Sequence, residues 1–206
     1  MNGNTAFKYK IPELLLYSRL SIVFVIIVLT FFPIKNTDAL ILGLIYFGVI
    51  SDIFDGIIAR KLNVSNEKLR VLDTLFDLIF YASIISYIFK NKPHLLFNNQ
   101  FLIFTIIGIE CMMYAVSLLR FKKFPSPHAL LSKFWGLYLI FEFTLILLEI
   151  QGIHFKVALF AGIFVHTDRL LIYMIIKSWH HDVPSSFHAY KLRKGQPIKR
   201  FKLFNG

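Results

Sequence analysis

The chain has 206 residues, of which 56% are hydrophobic and 17% charged, with 23 phenylalanines and a formal net charge of +11. Its apolar residues fall in long blocks rather than alternating with polar ones, which excludes a water-soluble globular surface. Anionic membrane lipids are the simplest counter-charge for the excess of lysine and arginine, and nucleic acid is set aside as a partner.

A hydrocarbon core about 30 Å thick takes roughly 20 helical residues. Six segments meet or approach that length, near 12–32, 39–60, 70–89, 98–119, 134–150 and 155–177. The first runs from Ile11 to Pro33 and ends without a small-residue cleavage site, so it reads as a retained helix rather than a signal peptide. The second carries Asp52 and Asp55 near its end, and the third opens on Asp73 and Asp77. The fourth holds Cys111, the single cysteine, which can form neither an intrachain disulfide nor a metal cluster and is read as packing. The fifth is short, with its start at either Leu130 or Phe134.

After the sixth segment, from Lys177 onward, Lys191, Arg193, Lys194, Lys199, Arg200 and Lys202 interleave with Phe187, Tyr190, Phe201 and Phe204. This pattern suits a segment lying along the membrane interface as well as it suits a plain basic anchor. The expected organisation is one catalytic membrane domain over 1–177 and a basic cytoplasmic tail over 178–206.

Short loops rich in lysine and arginine stay in the cytoplasm. Lys8, Lys10, Arg60, Lys61, Lys68, Arg70, Arg120, Lys122, Lys123, Lys133 and the basic tail fall on one side of the alternation, against Lys35, Lys90, Lys92 and Lys156 on the other. The expectation is therefore an all-α membrane protein of six transmembrane helices with both termini cytoplasmic. Removing one span would put the basic tail outside.

The chemistry concentrates between the second and third segments. Asp52, Asp55, Gly56 and Ala59 share one helical face, being offset by three, four and seven residues, and Asp73 and Asp77 share another. Helices joined by a short loop are expected to lie antiparallel and adjacent, so that the two pairs of carboxylates face each other. Four carboxylates this close cannot all stay ionised in a low-dielectric site without counter-charge. Carboxylate oxygens without histidine or cysteine favour Mg²⁺ or Mn²⁺ over zinc. Two such ions about 3.5–4 Å apart clamp a pyrophosphate. Asp52, Asp55, Asp73 and Asp77 are therefore the expected metal ligands. Gly56 and Ala59 leave room for a nucleotide, and Arg60 is placed to neutralise phosphate charge.

At these residues the chain resembles the CDP-alcohol phosphatidyltransferase family, whose signature is D-x-x-D-G-x-x-A-R, eight residues, then G-x-x-x-D-x-x-x-D. Asp52, Asp55, Gly56, Ala59, Arg60, Asp73 and Asp77 match it, and Leu69 stands where the second glycine belongs. The stretch from Ile11, Pro12, Glu13, Leu14 and Leu15 through Arg19 also looks like the family's opening, with Glu13 where asparagine is common.

The resemblance implies a cytoplasm-facing cavity with two bound metal ions, in a bacterial inner-membrane enzyme. Asp77 would double as general base and catalytic residue. The donor would be CDP-diacylglycerol, the acceptor a small alcohol and the leaving group CMP, and the enzyme would be a homodimer. Glycerol 3-phosphate is the favoured acceptor because Arg120, Lys122, Lys123 and Lys133 supply cations for a phosphorylated one, although the same residues also suffice as topology determinants.

Glu110, Glu142, Asp168 and Arg169 are expected to face the protein interior, with Asp168 and Arg169 pairing to neighbouring helices and His166 hydrogen-bonded structurally. Two rival functions share the acidic chemistry. An intramembrane prenyltransferase would place its two acidic motifs in separate halves of a longer chain, and a cation transporter usually shows a second, repeated half.

Overall fold

The computed structural model describes residues 3–62, 67–150 and 152–198, with the side chains of residues 3–13, 15, 59, 60 and 68 outside that description. Among the described residues every regular element is helical. They are α1 (Gly3–Phe31), α2 (Thr37–Lys61), α3 (Glu67–Asn91), α4 (Pro93–Phe97), α5 (Gln100–Phe121), α6 (Leu130–Leu147), α7 (His154–Ile175) and α8 (Ser186–Arg193). The six long helices coincide with the six apolar segments, and the fifth begins at Leu130, the earlier of its two expected starts.

Five helices are long and apolar enough to cross a membrane, over Thr37–Ile58, Leu69–Asn91, Gln100–Phe121, Leu130–Leu147 and His154–Ile175. The described apolar part of α1 is Leu16–Phe31. Large apolar side chains such as Phe24, Phe47, Phe101, Phe104, Leu119 and Phe164 point outward. Hydrocarbon accommodates such a surface where water does not, and helices satisfy their own backbone groups inside it. The chain is an integral membrane protein.

By packing, the chain forms two compact units, Met1–Leu96 and Phe97–Gly206. In the first, α1 packs extensively against both α2 and α3, while α2 and α3 make little contact with each other. α2 and α3 still meet through their side chains, as expected, but each packs its backbone most closely against α1. The reason lies in the buried faces. Leu16, Arg19, Ile22, Ile26 and Leu29 recur every three or four residues on α1, as do Ile41, Ile45, Gly48, Ser51 and Asp55 on α2 and Phe76, Phe80, Ile84 and Tyr87 on α3.

Where α2 and α3 do touch, Phe80 lies over Gly48, and a Cβ added at that glycine would meet the ring at 2.7 Å. At the opposite end from the acidic residues, the Tyr87 hydroxyl donates to Asp38 at 2.5 Å. There Asn36 takes the left-handed conformation at φ 61°, and Thr37 Oγ1 accepts from the Ile34 amide at 2.8 Å, turning the chain into α2.

In the second unit α7 is the shared helix, packing against α5, α6 and α8. It buries the largest share of its span, and α5 the smallest. Gly162 lets Trp135 approach the α7 backbone, since a Cβ there would stand 2.8 Å from the indole, and the indole N–H donates to the Ala158 carbonyl at 2.9 Å.

Arg120 on α5 donates to the carbonyls of Tyr173 (2.6 Å), Met174 (2.7 Å) and Ile176 (3.0 Å), filling the orphan acceptors where α7 ends. The described part of the segment after Lys177 folds back onto this end. Val183 donates to Pro127 and Leu130 to Pro184 through the backbone, and Val183 and Ala189 are buried with Met113, Ile172 and Tyr173. α8 leaves Phe187 and Tyr190 exposed, with Lys191 and Lys194 over their rings.

Candidate active site

The polar ends of the three buried faces in the first unit coincide. α1 and α3 run in one direction and α2 in the other, so Arg19 early in the apolar part of α1, Asp52 and Asp55 late in α2, and Asp73 and Asp77 early in α3 reach the same end. Asp52, Asp55 and Asp73 each offer a carboxylate oxygen within 4.8 Å of the others. Asp77 belongs to the cluster through Arg19.

A single guanidinium bridges all four carboxylates. Arg19 Nη2 lies 2.7 Å from Asp52 Oδ1, 2.7 Å from Asp55 Oδ2 and 3.4 Å from Asp73 Oδ1, while Nη1 pairs with Asp77 Oδ1. The Arg19 side chain is 1% exposed. Asp55 and Asp73 are sequestered with it at 6% and 13%, whereas Asp52 and Asp77 stay open at 37% and 38%. The cluster therefore has a closed floor and an accessible rim, and Asp77 stands on the rim.

The donor set suits a hard divalent ion. It consists of carboxylates alone, and they outnumber the described cations around them even with Arg70, which is buried one turn before Asp73. Two oxygens on one Mg²⁺ ion are about 2.9–4.2 Å apart, so a triad lying within 4.8 Å has to draw closer to hold one.

Among the remaining expected residues, Gly56 follows Asp55 on α2 and is half-buried. Ala59 and Arg60 lie on the last turns of the same helix with their side chains outside the described residues. Leu69 is half-buried and already within α3, which begins at Glu67.

Sequence reasoning noted Arg19 only in the opening stretch and gave it no role in the site. The available signal was physical: a lone arginine inside an apolar span needs an anion, and the only carboxylates dense enough to hold it were the four already singled out.

The second unit has its own polar cluster. Arg169 donates to Glu110 through Nη1 (2.9 Å) and Nη2 (3.0 Å), and His166 Nδ1 lies 2.7 Å from the same carboxylate. Asp168 accepts from the Ser186 amide at 3.0 Å. The expected pairing of Asp168 and Arg169 with neighbouring helices, and the hydrogen-bonded role of His166, both hold. Arg120, expected among the cations for a phosphorylated acceptor, is engaged instead at the end of α7.

An all-helical membrane protein whose acidic cluster is gathered at one end of three helices, in this spacing, belongs to a narrow class. The chain is a member of the CDP-alcohol phosphatidyltransferase family, which it matches over residues 9–176. It is 32% identical over 131 residues to the CDP-diacylglycerol--glycerol-3-phosphate 3-phosphatidyltransferase of Aquifex aeolicus (strain VF5), a match covering 62% of this chain and 70% of that protein. No solved structure matches it. Family membership sets aside the prenyltransferase and transporter readings.

Proposed function

We propose that the protein transfers the phosphatidyl group of CDP-diacylglycerol to a small hydroxyl acceptor, glycerol 3-phosphate in the favoured case, with release of CMP. The observation that carries this reading is the convergence of Asp52, Asp55 and Asp73 beside a rim-exposed Asp77, in the hairpin that bears the family signature. The name of the Aquifex relative supports the donor and the acceptor.

Asp52, Asp55, Asp73 and Asp77 are the residues that would hold two Mg²⁺ or Mn²⁺ ions. When bound, these supply charge neutralisation for the pyrophosphate and for the departing CMP. The residues do the rest. Asp77, open at the rim, takes the proton of the acceptor hydroxyl, whose oxygen forms a bond to the β-phosphorus of the donor. The bond from that phosphorus to the bridging oxygen breaks, and CMP leaves carrying that oxygen. Gly56 and Ala59 are the residues proposed to leave room for the nucleotide, and Arg60 the one proposed to neutralise its phosphate charge.

The same reading has six spans, both termini and the active site on the cytoplasmic side of a bacterial inner membrane, a catalytic domain over 1–177 and a basic segment over 178–206 that meets anionic lipids. The lysine and arginine bias of alternate loops supports that orientation, and a homodimer follows the family.

The test is direct: purified protein is incubated with labelled CDP-diacylglycerol and a panel of acceptors including glycerol 3-phosphate, serine, inositol and inositol phosphate. CMP release with one acceptor establishes the activity and names the substrate. No release with any of them overturns the proposal.

A further inference from the structure

A guanidinium at the centre of a carboxylate cluster occupies space that a bound cation needs. Arg19 Nη2 sits among Asp52, Asp55 and Asp73, the same three side chains that form the close triad. A Mg²⁺ ion bonded to those oxygens at about 2.0–2.1 Å and Nη2 cannot share that position, since their centres would fall well inside van der Waals contact and both are positive. Arg19 cannot leave by losing its proton, because a guanidinium stays charged in a protein.

Its grip is nevertheless incomplete. Nε is buried without a hydrogen-bond partner, because the fork is turned so that Nη1 and Nη2 face the carboxylates. Both contacts to Asp73 Oδ1, at 3.5 and 3.4 Å, are long for such bonds. In these contacts the guanidinium reaches one oxygen of each of four acids, rather than making the paired, two-oxygen contact that makes arginine–carboxylate pairs strong.

We propose that Arg19 is the resident counter-ion of the metal-free site, and that divalent cations bind by exchange, displacing its guanidinium from Asp52, Asp55 and Asp73. This rests on the reading of the acidic triad as a metal site. Arg19 then has two opposed effects. It holds the acidic ends of α2 and α3 to α1 when no metal is present, and it weakens metal binding because its own ion pairs must break first. Metal affinity is set by a residue that is not a ligand.

The experiment uses full-length protein in detergent, stripped with chelator and dialysed, with Mn²⁺ as the probe. Free Mn²⁺ is followed by electron paramagnetic resonance, and melting temperature is measured with and without saturating metal, for the wild type, Arg19→Gln, Arg19→Lys and Asp55→Asn. Arg19→Gln is expected to melt lower than wild type without metal, to recover with Mn²⁺, and to bind Mn²⁺ about tenfold or more tightly, the scale of losing one charge-assisted competitor. Arg19→Lys keeps the charge but not the fork, and shifts both readings the same way by less. It carries the test if Arg19→Gln does not fold.

Unchanged or weaker Mn²⁺ binding in the Arg19 variants, with binding lost in Asp55→Asn, overturns the exchange while leaving the metal site standing. Absence of Mn²⁺ binding in every chain overturns both.

Discussion

Two of the buried polar clusters in these apolar helices are built to opposite rules. In the second unit one carboxylate, Glu110, meets one guanidinium, Arg169, and one imidazole, His166, each within 3.0 Å. In the first unit four carboxylates share the single guanidinium of Arg19. A cluster whose charges balance behaves as a structural tie between helices, here α5 and α7. An unbalanced one is incomplete, and its excess of acid is a demand for cations. Burial alone does not separate a site from a structural pair; the ratio of acids to bases does.

The largest effect that separates the clusters is metal removal. Chelation with EDTA should abolish CMP release, and Mg²⁺ or Mn²⁺ should restore it, while Ca²⁺, with its longer bonds and looser geometry, should not. Full activity in metal-free buffer removes the metal from the mechanism and with it the meaning given to the acid excess.

Asp77→Asn comes next. It keeps the volume but cannot accept a proton, so turnover should fall by about 10²–10⁴-fold. Because it removes one acid from a cluster with too many, melting in chelator should be no lower than wild type. A rate above about a tenth of wild type rules out the general base.

Glu110→Gln tests the other side of the comparison. It leaves Arg169 without its anion among packed helices, and breaking such a pair typically costs about 3–5 kcal/mol. Thermal unfolding in detergent should show a clear loss. A melting temperature equal to wild type would mean that the second cluster is not a structural tie.

The smallest expected effect is at Leu69, the departure from the family signature. Since α3 already runs through it, four residues before Asp73, its side chain follows the acidic face and is proposed as an apolar wall of the nucleotide pocket. Leu69→Gly should change KM for the CDP donor more than KM for the alcohol. Kinetics varied in each substrate separately decide it, and an unchanged donor KM means that Leu69 faces away.

Much of this protein was legible from local pattern. The six apolar segments became six long helices because length and hydropathy are properties of contiguous residues, and the bilayer requirement is itself a length. The spacing of Asp52, Asp55, Asp73 and Asp77 put them on helical faces because the helix repeat is local as well. The family signature is local for the same reason, and its match over residues 9–176 bore that resemblance out.

Tertiary structure decided what depends on partners far apart in the chain. The carboxylates of α2 and α3 do come together, but α1, with its own buried stripe from Leu16 to Leu29, packs more closely on both helices than they do on each other. Arg19 meets Asp55 and Asp77 across 36 and 58 residues, and Arg120 meets the end of α7 across more than fifty. Neither meeting leaves a trace in periodicity. The segment after Lys177 looked like a charged tail because its basic residues dominate its composition, yet Val183 and Ala189 are buried among residues of α5 and α7. Composition averages over a segment, whereas packing selects the few side chains that fit. So the sequence by itself determined the helices and which carboxylates share a face, and only the fold determined which cation they share, because a buried charge takes its partner from whatever the packing brings within reach.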